Sequence, residues 1–387
     1  EVVHLGHNRS VDDIVLAAIQ EDADGIAISS YQGGHNEFFR YMVDRLRELG
    51  AGHIKVFGGG GGTITPEEIA ELMDYGVERI YHPHDGMELG LQAMIEDLIE
   101  RTQANRRVAY VPESSESIVD IAAMISSIEE GVFDDAQLAS LRKEWRVKAG
   151  KVPVIGITGT GGAGKSSVTD EILNRMLSSF SNKRIAVLAV DPTRRRTGGA
   201  LLGDRIRMNS LRSDRIYMRS IATRRQHLAT SEMLGDHIAY LKSQGFDLVI
   251  VETAGIGQSD SEIVDMVDYS VYVMTSEYGA ASQLEKIDML DFADLVVLNK
   301  YDKRGAEDAL RDIRKQWKRN HLAFDTPDED VPVYPSIASQ FNDPGISWMF
   351  VELCRRVAEK VGLDKDEWTP DIDTSIREPR ALSLIHI

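Results

Sequence analysis

The run Gly159-Thr160-Gly161-Gly162-Ala163-Gly164-Lys165-Ser166 constrains this chain more than any other stretch. It fits G-x-x-x-x-G-K-[ST], the phosphate-binding P-loop. Residues 152–158 before it read as a short buried strand, and residues 167–178 after it as a helix. That context matters, because glycines let backbone N–H groups turn inward around phosphate oxygens at the positive end of a helix. Gly162, Ala163, Gly164, Lys165, Ser166 and Ser167 are therefore candidate nucleotide contacts. Lys165 is expected to reach the β- and γ-phosphates, and the Ser166 hydroxyl to bind Mg²⁺.

Further strands follow. Residues 184–190 form an apolar run ending in Asp191, and residues 247–251 another, ending in Glu252-Thr253-Ala254-Gly255-Ile256-Gly257. A carboxylate at the end of an apolar strand opposite a P-loop is the Walker B arrangement. Between them lies Gly203-Asp204-Arg205-Ile206-Arg207. If this is helical, Asp204 and Arg207 share one face and can point at one phosphate–metal site. Mg²⁺ takes oxygen ligands and keeps waters, so Ser166, Asp191, Asp204 and Glu252 are the metal candidates. Lys165 and Glu252 are the candidate catalytic pair. Residues 295–298 lead into Asn299-Lys300-Tyr301-Asp302, which is N-K-x-D after a strand. A carboxylate at Asp302 can accept two hydrogen bonds from guanine N1 and N2, which adenine cannot supply. Asn299 is expected to reach the base edge and the Lys300 stem to lie on its face. A later strand, 331–335, leads to Ser336-Ile337-Ala338-Ser339, a candidate for the loop that closes on guanine. A P-loop kinase is the rival reading, and N-K-Y-D argues against it.

The first hundred residues alternate strands and helices. Strands are expected near 1–5, 25–29, 54–57 and 79–81, and helices near 11–21, 37–49, 66–75 and 87–99. Ser10 reads as a helix cap; Thr65, Pro66 and Glu68 form a capping-box pattern with Gly76 as the stop. Phe38, Met42 and Leu46, and then Ile69, Leu72 and Met73, are the expected inward faces. The fold class is α/β, a doubly wound sheet with ligands at the strand carboxyl ends. Those ends carry Ser29-Ser30-Tyr31-Gln32-Gly33-Gly34-His35 and five consecutive glycines, Gly58 to Gly62. Such a glycine run suits close approach of a large ligand. Helices at 114–130 and 134–148 read as an interdomain spacer.

Composition narrows the classes. The chain has 387 residues, 42% hydrophobic, ample for packed cores in two or three domains. A net charge of −18 disfavours general nucleic-acid binding. A single cysteine, Cys354, excludes an internal disulfide and suits a reducing cytoplasm. No apolar run approaches transmembrane length, so no membrane partner is expected. The chain opens at Glu1 inside an expected strand and closes on an apolar run from Arg380 to Ile387. It reads as a fragment with an artefactual tail.

The first segment resembles the cobalamin-binding domain of cobalamin-dependent acyl-CoA mutases. The resemblance rests on Ser29 and on the glycines from Gly58 to Gly62; Tyr31 departs from the usual Leu. It implies a slot for the nucleotide tail of adenosylcobalamin, with Ser29, Ser30, Gly60 and Gly61 as contacts. The cobalt-ligating histidine of the family's Asp-x-His-x-x-Gly motif is expected upstream of Glu1. His4, His7, His35, His82 and His84 do not occupy that place and read as structural or surface residues, so base-off cobalamin binding by this chain is expected to be weak or absent.

The second segment resembles the P-loop GTPases named for a glutamate in their third motif, in the branch that chaperones cobalamin enzymes. Val190-Asp191-Pro192-Thr193, residues 197–205, residues 219–224 and residues 252–259 carry this. The resemblance implies GTP as ligand, Mg²⁺ on Ser166, Asp191, Asp204 and Glu252, nucleotide contact by Arg207, and signalling to the mutase from the region of Lys286. Arg194-Arg195-Arg196 replaces an expected Ser/Pro-rich loop. Together the segments resemble fused isobutyryl-CoA mutases. That implies a cobalamin domain over 1–102, a helical linker over 103–150, a GTPase over 151–362, and the start of a linker over 363–387 toward a substrate barrel. A homodimer is implied as well. The alternative is a cobalamin-sensing GTP switch acting on a separate mutase.

Overall fold

The structure, a computed structural model, describes residues 1–30, 33–60, 62–104, 106, 111–112, 117–192, 201–223, 227–253, 263–278 and 289–379. Leu5–Gln137 forms one compact unit; Leu138 onward, with Glu1–His4, forms the other.

The chain starts with β1 (Val2–Val3), then α1 (Val11–Gln20), β2 (Gly25–Ser29), α2 (His35–Glu48), β3 (Lys55–Gly59), α3 (Pro66–Tyr75), β4 (Arg79–Tyr81), α4 (Pro83–Gln103) and α5 (Ile118–Glu129). β2, β3 and β4 form a three-stranded parallel sheet in that order. The caps read from sequence are present. Ser10 accepts from the Asp13 N–H, and Thr65 and Glu68 make a reciprocal capping box. Phe39, Met42, Leu46 and Leu72 are almost wholly buried. The inward face of α2 thus turns on Phe39 rather than Phe38, in phase with His35, Met42 and Leu46. Met73, expected inside, is exposed, because Leu72 is the buried residue of α3.

Two expectations for this unit are corrected. β1 does not join the sheet; it pairs with Leu201–Leu202 of the second unit, to which Glu1–His4 belongs. α5 is not a spacer. It packs against α1, with Ile118 and Val119 against the first unit's core and Ile121 and Ile125 buried. An apolar stripe at helical spacing is buried by its neighbours rather than left to bridge solvent.

The second unit holds α6 (Asp135–Lys148) from Leu138 on, then β5 (Val154–Gly159), α7 (Lys165–Ser179), β6 (Ile185–Pro192), β7 (Leu201–Leu202), β8 (Ile216–Thr223), α8 (His227–Lys242), β9 (Leu248–Thr253), β10 (Tyr269–Met274), α9 (Met289–Phe292), β11 (Leu295–Leu298), α10 (Ala306–Asn320), β12 (Val333–Pro335) and α11 (Pro344–Val361). Seven strands form one parallel sheet in the order β12-β11-β10-β5-β9-β6-β8. β5, β9 and β10 are buried along their whole length, as near-continuous apolar runs require. The chain beyond α11 stays on this unit. Trp368 is buried beside Phe180, with Lys183 over its ring, and Arg377 lies 5.1 Å from the Trp348 ring. No helix among the described residues is long and apolar enough to cross a membrane.

If α5 is part of a folded unit, Ile125→Ala should lower the urea-unfolding stability of the full chain by about 2–4 kcal/mol. A loss near zero would restore the spacer reading.

Candidate functional site

In the second unit β5 lies between β9 and β10, so the loop leaving it rises at the centre of the sheet. β6, β9 and β11 run parallel to it and deliver Asp191, Glu252 and Asn299 to the same carboxyl-terminal edge. This arrangement follows from strand order alone; no two of these residues are near in sequence.

The phosphate cradle comes first. Gly164 caps α7 at φ 93°, and a Cβ there would stand 2.5 Å from Asn299 Nδ2. Only glycine fits both the left-handed backbone and the crowded space. Lys165 is buried and donates to Gly159 O at 3.0 Å and Thr160 O at 3.2 Å. Its ammonium therefore sits inside the loop, where phosphate oxygens would be the competing acceptors.

The carboxylates form a second group. Glu252 is almost wholly buried; Ser166 Oγ donates to its Oε1 at 2.6 Å and Thr169 Oγ1 to its Oε2 at 2.7 Å. Burial raises the Glu252 pKa to about 7, against the two hydroxyl bonds and the Lys165 charge. Asp191 is likewise pushed up to about 7, chiefly by burial, then by a hydrogen bond and repulsion from Asp204, then by Glu252. Asp204 opens a 3₁₀ helix, Asp204–Arg207, so Asp204 and Arg207 do share a face, as the spacing required. Among the described residues, no group of three His, Cys, Asp or Glu is placed to hold a metal ion. Ser166, Asp191, Asp204 and Glu252 offer oxygen atoms only, the ligand type that Mg²⁺ takes.

Sequence reasoning missed Thr169, Asp170 and Arg205. Thr169 lies four residues after Lys165, one helical turn on, so its inward position was implicit in the P-loop helix. Asp170 accepts from Ser210 N and Oγ at 2.9 and 2.6 Å, tying α7 to the segment that carries Asp204. Arg205 is buried and donates to Met218 O, whereas Arg207 is exposed.

The N-K-Y-D loop sits against the loop before α7. Lys300 Nζ donates to Gly162 O at 2.7 Å. Asn299 Nδ2 donates to Ala163 O at 2.8 Å, while its Oδ1 accepts from Ala338 N at 3.0 Å and Ser336 Oγ at 3.3 Å. The buried Asn299 amide thus ties two loops together, and its NH₂ has a second N–H beyond the one given to Ala163 O. Tyr301 N donates to Ser336 O at 3.0 Å, and the Asp302 carboxylate is left exposed.

The first unit has its own site. A cavity of about 540 Å³ lies at the carboxyl ends of β2 and β3, lined by Ser29, Phe57, Gly60, Tyr81, Leu91 and Met94 among others. Its lining is mostly apolar, as that of ligand clefts usually is. The glycines serve packing as well as access. A Cβ on Gly58 would meet the Phe39 ring at 2.6 Å, and one on Gly60 would meet Ser30 O at 2.4 Å. Of the histidines here, His35 is buried 3.2 Å from Glu68, and His82 stacks on His84. Gly61, Tyr31, Arg194-Arg195-Arg196, Lys286 and residues 254–262 lie outside the described residues.

The model of the methylmalonyl Co-A mutase-associated GTPase MeaB family matches residues 121–374, and that of the B12 binding domain matches residues 1–83. The fused isobutyryl-CoA mutase of Geobacillus kaustophilus (strain HTA426) is 52% identical over 383 residues, 97% of this chain and 35% of that protein. The fused isobutyryl-CoA mutase of Cupriavidus metallidurans (strain ATCC 43123 / DSM 2839 / NBRC 102507 / CH34) is 54% identical over 356 residues, 90% of this chain and 32% of that protein. The chain thus spans about a third of the length of these relatives. Among solved structures, a LAO/AO transport system kinase is 22% identical with a TM-score of 0.40, covering 64% of this chain and 81% of that one.

The hydroxyl clasp on Glu252 predicts that Thr169→Val, which leaves Oε2 without its donor, destabilises the second unit by about 1–3 kcal/mol in urea unfolding. An unchanged midpoint would mean that Ser166 alone satisfies the carboxylate.

Proposed function

Because this chain belongs to the family of methylmalonyl Co-A mutase-associated GTPases called MeaB, and carries a B12 binding domain ahead of it, we propose that it is the GTP-hydrolysing chaperone and regulatory part of an adenosylcobalamin-dependent acyl-CoA mutase. The whole protein would interconvert isobutyryl-CoA and n-butyryl-CoA. Its partner would be a substrate barrel continuous with the chain, and the assembly a homodimer in the cytoplasm. The matched fused isobutyryl-CoA mutases support this reading over most of the chain.

One observation carries the nucleotide assignment. Lys300 and Asn299 of the N-K-Y-D loop bond directly to the carbonyls of Gly162 and Ala163 in the phosphate loop. Phosphate grip and base choice are therefore set at fixed separation. Gly162, Ala163, Gly164, Ser166 and Ser167 would hold the phosphates, with Arg207 beside them. Tyr301 would bound the base site, and Asp302 would take guanine N1 and N2. Ser166, Asp191, Asp204 and Glu252 would hold Mg²⁺, which, when bound, neutralises charge on the transferring phosphoryl group. Lys165 would leave its two loop carbonyls for the phosphates and stabilise the same charge. Buried Glu252, clasped by Ser166 and Thr169, holds the serine hydroxyl in place. In the first unit, Ser29, Ser30, Gly60 and Gly61 would border the cobalamin tail. GTP turnover would gate cofactor loading or protect the mutase.

The direct test is hydrolysis of GTP and of ATP by wild type and Asp302→Ala. Wild type should turn over GTP selectively, and Asp302→Ala should reduce GTP preference by about 10²-fold or more. Equal use of GTP and ATP by wild type would overturn the guanine assignment. Removing divalent cations with EDTA should abolish turnover, and Mg²⁺ should restore it; turnover that persists in EDTA would overturn the metal set.

A further inference from the structure

The loop at 336–339 is held from behind by a buried network that none of the nucleotide motifs contains. Asp343 caps α11, and its Oδ2 accepts from Ile346 N at 2.9 Å and from Ile337 N at 3.2 Å. One carboxylate oxygen thus holds both the helix start and the loop. Asp343 is fully buried, and its other oxygen, Oδ1, finds no hydrogen-bond partner among the described residues. Burying a carboxylate is costly, so Asp343 is tied to the N–H groups that it holds at Ile346 and Ile337.

Arg175 supplies the link back to the phosphate loop. It lies on α7, the helix that begins at Lys165, and is itself buried. Its Nη2 donates to Asp343 O at 3.2 Å and to Ser347 Oγ at 3.1 Å, and its Nε to Ser347 Oγ at 3.2 Å. Nη1 donates to Glu171 O at 3.1 Å and pairs with the Glu171 carboxylate. The contacts close a ring. From the phosphate loop, Ala163 O meets Asn299, Asn299 meets Ala338, and Ile337 beside it meets Asp343. Asp343 meets Arg175, and α7 runs back to the phosphate loop.

We infer that Arg175 and Asp343 are positioning residues for guanine selectivity, holding loop 336–339 at a set distance from the phosphate loop through this ring. Neither residue touches nucleotide. They act through the backbone of Ile337 and Ala338, which borders the N-K-Y-D loop at Tyr301 N and Ser336 O. Breaking the ring lets that wall shift while the phosphate contacts at Lys165 and Ser166 remain. Discrimination between bases falls first, because it depends on groups within hydrogen-bonding reach of the base edge.

The inference rests on the GTPase reading, and the test separates the two. Competition binding and steady-state hydrolysis with GTP and ATP would be measured on the full chain for wild type, Arg175→Met, Arg175→Lys, Asp343→Ala and Asp343→Asn. Arg175→Met and Asp343→Ala should lower the GTP-over-ATP preference about tenfold. The loss should appear as a higher KM for GTP, with kcat at saturating GTP within about twofold of wild type. Asp343→Asn keeps an acceptor for both N–H groups and should restore the preference. A preference ratio does not depend on the active fraction, so mere loss of folded protein leaves it unmoved. If Asp343→Ala does not fold, the arginine variants carry the test, since lysine cannot span Asp343 O and Ser347 Oγ together. Wild type without GTP preference overturns the guanine assignment and this inference together. A selective wild type with unchanged ratios in the arginine variants overturns this inference alone.

Discussion

A single buried amide joins parts of the nucleotide unit that lie far apart in sequence. Asn299 gives its NH₂ to the phosphate loop and its carbonyl oxygen to the loop after β12. Buried polar groups must be paired, so the two loops cannot separate without leaving the amide and its partners unsatisfied, a cost of about 1–3 kcal/mol for each such group. The neighbouring Lys300 adds a second tie to Gly162. Asp302, two residues further on, is exposed.

The carboxylates at the ends of β6 and β9 present the opposite physics. Glu252 and Asp191 are held where burial and the nearby Asp204 disfavour their charge. Folded proteins tolerate this when nearby groups offset it, and here Ser166, Thr169 and Lys165 do so in part. Perturbed carboxylates of this kind cluster at functional sites.

The first unit shows how one sequence feature can have two causes. The glycine run on β3 read as room for a ligand, and a mostly apolar cavity does open beside Gly58, Gly59 and Gly60. Yet Gly58 is also required by the Phe39 ring and Gly60 by the Ser30 carbonyl. Both demands come from close approach, of the α2 side chain Phe39 in one case and of the backbone after β2 in the other. The break at Gly90 in α4 (φ 77°) likewise appears only in the fold, because its left-handed backbone interrupts a helix that the apolar spacing had marked from Met87 to Ile99.

Local chemistry determined a good deal from the sequence alone. Capping at Ser10 and Thr65, the strands 25–29, 79–81 and 295–298, the P-loop and its helix, and the acidic strand ends all follow from short-range rules of backbone conformation and spacing. What only the tertiary structure decided involves residues distant in the chain: that α5 packs against α1, that Val2–Val3 pairs with Leu201–Leu202, that the Asn299 amide ties two loops together, and that Thr169, Arg175 and Asp343 stand behind the site. A single threonine, arginine or aspartate carries no periodic signal. Its role arises when strand order brings separate segments to one edge and burial forces each polar group to find a partner there.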